Sequence, residues 1–320
     1  MEKATRLIAH DLKLFEDYFA EAVKSNAPLL DRIMQYIVKR KGKQMRPMFV
    51  LLSAGLGGPV TASTYRAASL VELLHTATLV HDDVVDEARE RRSFFSINAL
   101  WKNKIAVLVG DYLLSKGLLL SLGNNDYKVL QILSEAVKMM SEGELLQIEK
   151  ARNLNLDENI YYEIIKGKTA SLLSSACGAG ACTTFTDENL INKIKLFGEK
   201  TGMAFQVKDD LFDYGTDNIG KPTGNDIREQ KLTLPLIYTL NNCERSLKRK
   251  IINIVKNENT QKDKLKFVMD AVTAAGGIAY AEKKMFAFRD EALTILHEFP
   301  ASETRDALED LVRYTTDRKY

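Results

Sequence analysis

The chain has 320 residues, a length that one large domain can accommodate. Apolar residues make up 45% and charged residues 28%, as in an ordinary soluble globular protein. The 45 basic and 43 acidic residues nearly cancel, so bulk charge favours neither a nucleic-acid partner nor an anionic membrane surface. Cys177, Cys182 and Cys243 form no CxxC motif, which suits a reducing compartment and argues against a disulfide framework or a zinc site.

The N-terminal segment, MEKATRLIAHDLKLFEDYFAEAV, is amphipathic rather than continuously apolar. Acidic residues interrupt its apolar positions, so we expect no signal peptide. No stretch approaches the roughly 18 uncharged apolar residues of a membrane span. These features predict a cytoplasmic protein without a membrane span.

Helical periodicity continues along the rest of the chain. Apolar residues recur at helical spacing over 70–80, again over 107–122, and in the C-terminal stretch ETRDALEDLVRYTTDRKY. The segment IAVLVG at 105–110 is the best candidate for a strand, but it continues into a helical pattern and is therefore assigned to a helix. The sequence predicts an all-α fold, one domain over 1–320, with ten or more helices. Breaks are predicted near 41–44, 57–59, 92–96, 123–126, 153–156, 183–186, 214–226, 257–262 and 299–302.

Two aspartate clusters share the pattern DDxxD, and each follows an apolar helical run. The first comprises Asp82, Asp83 and Asp86, and the second comprises Asp209, Asp210 and Asp213. Positions i and i+4 of a helix lie on one face, so each motif places two carboxylates side by side. Such pairs repel each other unless a cation lies between them, and magnesium prefers oxygen ligands from one or two carboxylates and substrate phosphates. A solvated acidic face is the alternative, but two copies after core-facing helices favour cation binding.

Basic residues accompany these acids without a Walker P-loop. They occur in KGKQMRP (Lys43, Arg46), RERRS (Arg91, Arg92), GKT (Lys168, Thr169) and after the second motif (Lys221, Lys231). The segment GLGGPV lacks the Gly-Lys-Ser/Thr of a P-loop and is interpreted as a turn. Magnesium together with lysines and arginines describes a site for a diphosphate.

These motifs resemble those of the trans-isoprenyl diphosphate synthases. The resemblance runs nearly from end to end, through GKQMRP, ELLHTATLVHDDVVDEARERR, VGDYLLSKG, EGELLQ, GKTASLL, AFQVKDDLFDY, GKPTGNDIREQKLTLPLIY and TRDALEDLVRY. It implies a single-domain helical bundle with a central apolar cavity, in which isopentenyl diphosphate is condensed with an allylic diphosphate. It also implies a homodimer, with the apolar helix around 107–122 as a candidate interface.

The resemblance also implies roles for individual residues. Asp82 and Asp86 would hold two Mg²⁺ ions on the allylic diphosphate, with Asp83 as a weaker ligand candidate. Asp209 would hold a third Mg²⁺, with Asp210 and Asp213 in support. The allylic substrate would contact Arg91, Lys168, Thr169, Gln206, Lys221 and Lys231. Isopentenyl diphosphate would contact Lys43, Arg46, His75 and Arg92.

The length of the product is expected to depend on the residues just before the first motif. Ala77 and Thr78 are both small, and no aromatic plug lies there. We therefore expect a long-chain polyprenyl diphosphate, of the kind used as a quinone side chain and made from an allylic starter such as farnesyl diphosphate. A short-chain farnesyl or geranylgeranyl diphosphate synthase is the alternative.

Other classes of protein share parts of this pattern. A terpene cyclase would keep the first aspartate motif but usually lacks the second DDxxD motif and the isopentenyl-binding residues. A non-catalytic regulatory subunit would typically have damaged aspartate motifs, whereas both are intact here.

Lone histidines in apolar helices are often core residues. That role is open to His81, whereas the family motif favours a functional role for His75. Glu144 and Gln147 could either support a substrate-binding residue or pack between helices.

Overall fold

Helices form nearly all of the regular structure, as the hydrophobic periodicity predicts. The computed structural model describes residues 1–39, 42–88, 90–91, 94–153, 157–215 and 224–318, apart from the side chains of 90, 91 and 151–153. The helices are α1 (Glu2–Leu7), α2 (Ala9–Val23), α3 (Pro28–Val38), α4 (Met45–Gly55), α5 (Ala62–Val85), α6 (Ile97–Leu122), α7 (Tyr127–Asn153), α8 (Glu158–Ile165), α9 (Ser171–Ala181), α10 (Glu188–Phe212), α11 (Asn225–Arg228), α12 (Leu234–Asn242), α13 (Arg245–Asn257), α14 (Lys262–Ala274), α15 (Gly277–Leu296) and α16 (Glu303–Asp317). A π-helical turn covers Lys166–Ala170, and two short strands, β1 (Glu90–Arg91) and β2 (Phe94–Phe95), pair antiparallel.

The fold is therefore all-α, and the segment 105–110 is helical as predicted. The hairpin lies where the sequence predicts only a break between helices. The chain divides into two compact units, the first made of Met1–Val137, Ser175–Lys195 and Phe299–Leu308. The second unit comprises Lys138–Ser174, Leu196–Glu298 and Glu309–Tyr320. A single domain over 1–320 stays a prediction.

The core of the first unit forms where α5 packs against α6. Leu73, Ala77 and Val80 of α5 belong to one buried cluster with residues of α2, α3 and α6. The two helices approach closely because α6 has a glycine at the crossing. A Cβ atom built on Gly110 would lie 2.1 Å from Nε2 of His81. His81 is thus a packing residue of this crossing, with Nε2 3.2 Å from the Val107 carbonyl oxygen.

Helix α6 is long and apolar, as the sequence predicts for 107–122. Among the described residues it is long and apolar enough to cross a membrane by length and composition, although the core helix of a soluble protein passes the same test. One face, with Ala106, Val109 and Leu113, is buried in the core of the first unit. Lys102, Lys104, Asp111 and Lys116 interrupt this helix, so it is not an uncharged apolar stretch of about 18 residues.

The second unit has its own core, built mainly from α8, α10, α12, α14 and α15. Tyr161, Val207, Leu236, Val268 and Met285 represent these five helices in one buried cluster. This core supports α8, which leads into the π-helical turn with Lys168 and Thr169, and the C-terminal half of α10, which carries Gln206, Asp209 and Asp210.

Candidate active site

The first aspartate motif lies at the C-terminal end of α5. The amide of Asp86 donates to the carbonyl oxygen of Asp82 at 2.8 Å, so the helical geometry extends through the whole motif. Asp82 and Asp86 are therefore one turn apart, as the spacing predicts. Asp83 is buried, with 5% exposure, whereas Asp86 is exposed. The outer carboxylates of the motif are thus the accessible ones.

The loop before α4 carries two of the residues expected to bind isopentenyl diphosphate. Gln44 has a left-handed backbone conformation (φ 50°), and its side-chain amide donates to Oε1 of Glu16 at 3.0 Å. This contact ties the loop to α2. Lys43 is exposed beside it, and the Arg46 guanidinium lies 3.6 Å from Oε1 of Glu72.

Glu72 lies one turn before His75 on α5, so the Arg46 ion pair brings the start of α4 to the helix that carries the first motif. Arg46 and His75 thus both lie in the first unit, on helices joined by this ion pair. Arg92 lies outside the described residues, as does the side chain of Arg91. Ala77 is completely buried, and the hydroxyl of Thr78 donates to the His75 carbonyl oxygen at 2.9 Å.

A pocket of about 270 Å³ opens beside the loop before α4. Its wall combines aromatic rings of α2, including Phe15 and Phe19, with the carboxylates of Glu16 and Glu72. This mixed wall differs from the apolar cavity that the resemblance implies. The central cavity therefore stays a prediction.

The second aspartate motif, like the first, buries its second aspartate. Asp209 is exposed, whereas Asp210 is buried with 7% exposure. Helix α10 ends at Phe212, and Asp213 lies in the following turn. The carboxylate of Asp213 accepts the backbone N–H groups of Asn225 and Asp226 at 2.8 and 3.0 Å. Asp213 thus fixes the start of α11, a structural role that the motif alone does not reveal.

A chain of hydrogen bonds connects the Gly-Lys-Thr segment to the second motif. The hydroxyl of Thr169 donates to Oε1 of Gln206 at 2.7 Å, and the Gln206 amide donates to Oδ1 of Asp210 at 2.9 Å. The hydroxyl of Tyr161 donates to Oδ2 of Asp210 at 2.6 Å. Both oxygens of Asp210 are therefore satisfied, and its side chain is held in one orientation. Tyr161 belongs to no motif, so sequence reasoning missed it.

Negative charge is concentrated around this buried aspartate. Burial raises the pKa of Asp210 to about 7, although the hydrogen bonds from Tyr161 and Gln206 oppose the shift. Burial and the neighbouring Asp210 and Asp213 carboxylates raise the pKa of Asp226 to about 7. A group of acids this close together is most stable with a cation beside it.

Lys168 is positioned by the π-helical turn. The turn crosses α7 at two glycines, where a Cβ atom on Gly143 would lie 2.8 Å from the Lys168 backbone nitrogen. The Lys168 ammonium lies 2.5 Å from Oε2 of Glu144, and the Gln147 amide donates to Glu144 at 3.2 Å. Of the two roles left open for Glu144, the contact with Lys168 favours support of a substrate-binding residue.

Lys231 also has acidic neighbours in the second unit. Its ammonium lies 2.5 Å from Glu229 and 3.9 Å from Asp226. The backbone N–H of Asp226 donates to the Asp213 carboxylate. Lys231 therefore lies at the edge of the second motif. Lys221 lies outside the described residues.

One cation already contacts the second motif. The Arg318 guanidinium donates to Oδ1 of Asp209 at 3.1 Å. The carboxylate therefore accepts a cation in this geometry, which fits the role of a metal ligand. Within the described part of the chain, no three acidic, histidine or cysteine side chains enclose a metal by themselves. Magnesium sites are often completed by phosphate oxygens of the substrate.

The fold and these two motifs define a prenyltransferase with an all-α architecture. The chain belongs to the polyprenyl synthetase family, whose model matches residues 27–272. It is 32% identical to octaprenyl diphosphate synthase of Escherichia coli strain K12, over 99% of both chains. Further relatives include synthases named for products from geranylgeranyl to decaprenyl diphosphate, and component 2 of a heptaprenyl diphosphate synthase.

Solved structures give the same answer for the fold. A decaprenyl diphosphate synthase from Rhodobacter capsulatus superposes with a TM-score of 0.94 at 34% identity, covering 99% of this chain and 98% of that one. A polyprenyl synthase from Caulobacter crescentus, complexed with calcium and isoprenyl diphosphate, has a TM-score of 0.92 at 30% identity, covering 100% of this chain and 98% of that one. The predicted family and its helical bundle are therefore confirmed.

Proposed function

We propose that the protein condenses isopentenyl diphosphate head-to-tail onto an allylic diphosphate, such as farnesyl diphosphate, to form a long-chain polyprenyl diphosphate. The observation that carries this proposal is the pair of matching aspartate motifs, each with a buried second carboxylate and a more accessible first one. We assign metal binding to Asp82, Asp86 and Asp209 and propose Mg²⁺ as the ion. Bound magnesium would neutralise charge on the allylic diphosphate.

The chain's own residues bind and orient the two substrates. We assign Lys168, which pairs with Glu144, and Lys231 to the allylic diphosphate, to which they would donate hydrogen bonds as negative charge develops on it. Lys43 and Arg46 hold isopentenyl diphosphate, whose double bond attacks the allylic cation. The released diphosphate removes the proton, since none of the described side chains assigned here is an obvious base. Apolar walls around the prenyl chain would exclude water, which would otherwise capture the cation.

Product length is inferred from the small side chains of Ala77 and Thr78, which leave no aromatic plug before the first motif. A long product is consistent with an end use as a quinone side chain and with a cytoplasmic enzyme that passes its product to a membrane. A short-chain synthase is the alternative. The relatives with octaprenyl to decaprenyl names favour the long-chain assignment, whereas a relative named geranylgeranyl diphosphate synthase represents the shorter products.

The direct test incubates the purified protein with labelled isopentenyl diphosphate, farnesyl diphosphate and magnesium, followed by sizing of the products. We expect a product well beyond geranylgeranyl diphosphate, no product with a chelator, and recovery on return of magnesium. Asp82→Ala and Asp209→Ala should each lower the turnover rate by roughly 100-fold or more in a protein that still folds, as circular dichroism would show. Near-full activity of either variant would refute the assignment, and inactivity of the protein alone would favour a regulatory subunit.

A further inference from the structure

Arg318, the residue that follows α16, makes a contact for which the sequence motifs give no sign. Its guanidinium donates to Oδ1 of Asp209 at 3.1 Å, and the two side chains are 13% and 45% exposed respectively. Asp209 is the most exposed acid of the second motif and the one assigned to the metal. The carboxylate that would bind the metal is therefore already in contact with a positive charge.

The guanidinium is held from several sides. It lies over the ring of Phe205 at 4.3 Å and over the ring of Phe212 at 5.0 Å. Its Nε donates to the Thr315 carbonyl oxygen at 3.3 Å, which fixes the side chain to the end of its own helix. Stacking of an arginine on aromatic rings stabilises it further when the pair is shielded from water. Two aromatic rings and a backbone hydrogen bond therefore hold the Arg318 guanidinium beside Asp209.

We propose that Arg318 is the resident counter-ion of the second aspartate motif, and that a metal ion reaches Asp209 in competition with this guanidinium. The inference rests on the proposed role of Asp209 as a metal ligand. Without metal, Arg318 offsets the repulsion among Asp209, Asp210 and Asp226. A metal ion must offset the loss or weakening of that ion pair, so binding of metal alone is weak. A metal that binds together with a diphosphate replaces Arg318 more easily. The phosphate oxygens supply further metal ligands and also accept hydrogen bonds from the released guanidinium.

The competition makes a prediction that a purely structural arginine does not. Removing the charge with Arg318→Gln should tighten the binding of Mn²⁺ alone, on the order of fivefold, as expected for a typical coupling between two sites. Isothermal titration of the substrate-free protein with Mn²⁺ measures this without any turnover. Arg313→Gln is the matched control, because Arg313 lies on α16, shortly before Arg318, but pairs with Glu309 at 2.7 Å. The control should bind Mn²⁺ as the wild type does.

Thermal unfolding supplies the second measurement. Arg318→Gln should lower the melting temperature in chelator, because Asp209 then lacks its partner, and magnesium should recover more stability in this variant than in the wild type. Arg318→Lys keeps the charge but loses the planar stacking, so its Mn²⁺ affinity should fall between those of the wild type and Arg318→Gln. This variant also serves if Arg318→Gln does not fold.

A double-mutant cycle separates failure of this inference from failure of the proposed function. If Asp209→Asn leaves Mn²⁺ binding unchanged, Asp209 is not a ligand and the proposed metal site itself is wrong. If Asp209→Asn weakens Mn²⁺ binding but Arg318→Gln leaves it unchanged or weaker, the counter-ion role is overturned while the metal site stands. If the effect of Arg318→Gln disappears in the Asp209→Asn background, the competition at this carboxylate is supported.

Discussion

Acidic side chains pair with three of the lysines and arginines that are expected to bind diphosphate. Arg46 is paired with Glu72, Lys168 with Glu144, and Lys231 with Glu229. An acid beside a flexible cation reduces the number of orientations that the cation must lose when a substrate binds. The same acid also lowers the net positive charge at the site. Each pairing therefore weakens the attraction for diphosphate but fixes the orientation of the cation.

The two groups of cations should act on different substrates. Lys43→Ala should raise the KM for isopentenyl diphosphate, whereas Lys168→Ala should raise the KM for the allylic substrate. Loss of one charge-assisted phosphate contact corresponds to roughly 1.5–3 kcal/mol, or about tenfold to a hundredfold. Steady-state kinetics with each substrate varied in turn measures the separation. Arg92→Ala, at a position outside the described residues, should behave like Lys43→Ala.

Controls for this separation lie next to the residues tested. Lys166 belongs to the same π-helical turn but pairs with Glu199 at 3.1 Å, so Lys166→Ala should leave both KM values near those of the wild type. Glu144→Gln should raise the allylic KM in the same direction as Lys168→Ala but by less, because the ammonium remains. Equal effects of Lys43→Ala and Lys168→Ala on both substrates would contradict the assignment.

A large side chain before the first motif should shorten the product. Ala77→Tyr places a ring one turn below Asp82, where the growing chain would pass, and elongation should stop early without loss of the chemistry. Ala77 is fully buried in the cluster between α5 and α6, so the ring should also cost about 1–3 kcal/mol of stability by overpacking. Mass spectrometry of the products measures the length.

Thr78→Tyr provides a second variant for the same question, because Thr78 is only half-buried and its substitution should disturb the fold less. Both variants should give shorter products than the wild type. An unchanged product length in both would mean that another helix sets the limit, with Met139 and Met140 of α7 as the next candidates. A wild type that itself stops at geranylgeranyl diphosphate would refute the long-chain assignment.

At the scale of elements, the contact between α7 and the π-helical turn positions Lys168. π-Helical turns frequently mark functional sites, and this one carries the Gly-Lys-Thr segment. Gly143→Ala would place its Cβ atom 2.8 Å from the Lys168 nitrogen and 3.1 Å from the Gly167 carbonyl carbon, which are backbone atoms that cannot rotate away. We expect it to destabilise the protein by about 1–3 kcal/mol, despite the higher helix propensity of alanine.

Chemical denaturation measures this loss, and allylic substrate kinetics should show a raised KM for Gly143→Ala. Gly55→Ala is the control, because its Cβ atom would meet the side-chain methyl of Thr304 at 3.1 Å, which can shift. The control should lose less stability and keep the wild-type KM. A Gly143→Ala protein with unchanged stability and kinetics would show that the crossing tolerates a wider separation.

The sequence predicts the helices better than it predicts their ends and crossings. Periodicity identifies α5, α6 and α16 because their buried positions recur every three or four residues. It does not predict the π-helical turn, which depends on the close approach of Gly143 and Gly167. The strands of two residues each, at Glu90–Arg91 and Phe94–Phe95, are too short to leave an alternating pattern.

The candidate site was predicted from the sequence as far as its motifs extend. Local spacing is enough to place Asp82 and Asp86 one turn apart and to identify the Gly-Lys-Thr segment that contains Lys168 and Thr169. Tyr161, Glu72 and Arg318 are distant in sequence from the residues that they contact, so no spacing pattern connects them. Their roles depend on tertiary packing within each unit. Metal ligation and substrate contacts stay predictions, since they depend on groups that bind from outside the chain.

At the scale of the whole molecule, the outer face of α6 raises the question of assembly. Leu108 and Leu119 are 63% and 66% exposed, and Val107, Leu118 and Leu122 are also exposed on this helix. Apolar side chains exposed together along one helix face are typical of a protein–protein or membrane contact, although Asp111 is exposed among them. The family resemblance implies a homodimer at this helix, and two copies meeting about a two-fold axis would each bury the same face.

We therefore expect a dimer that depends on the exposed leucines of α6. Leu108→Glu and Leu119→Glu should convert it to a monomer, because each substitution would bury a charge at a self-complementary interface without a partner. Size-exclusion chromatography with light scattering measures the mass in solution. Leu29→Glu is the matched control, since Leu29 is a 46% exposed leucine on α3 outside this face, and it should remain dimeric. A wild-type monomer would show that the face has another occupant, and binding to lipid vesicles that Leu119→Glu abolishes would identify that occupant as a membrane.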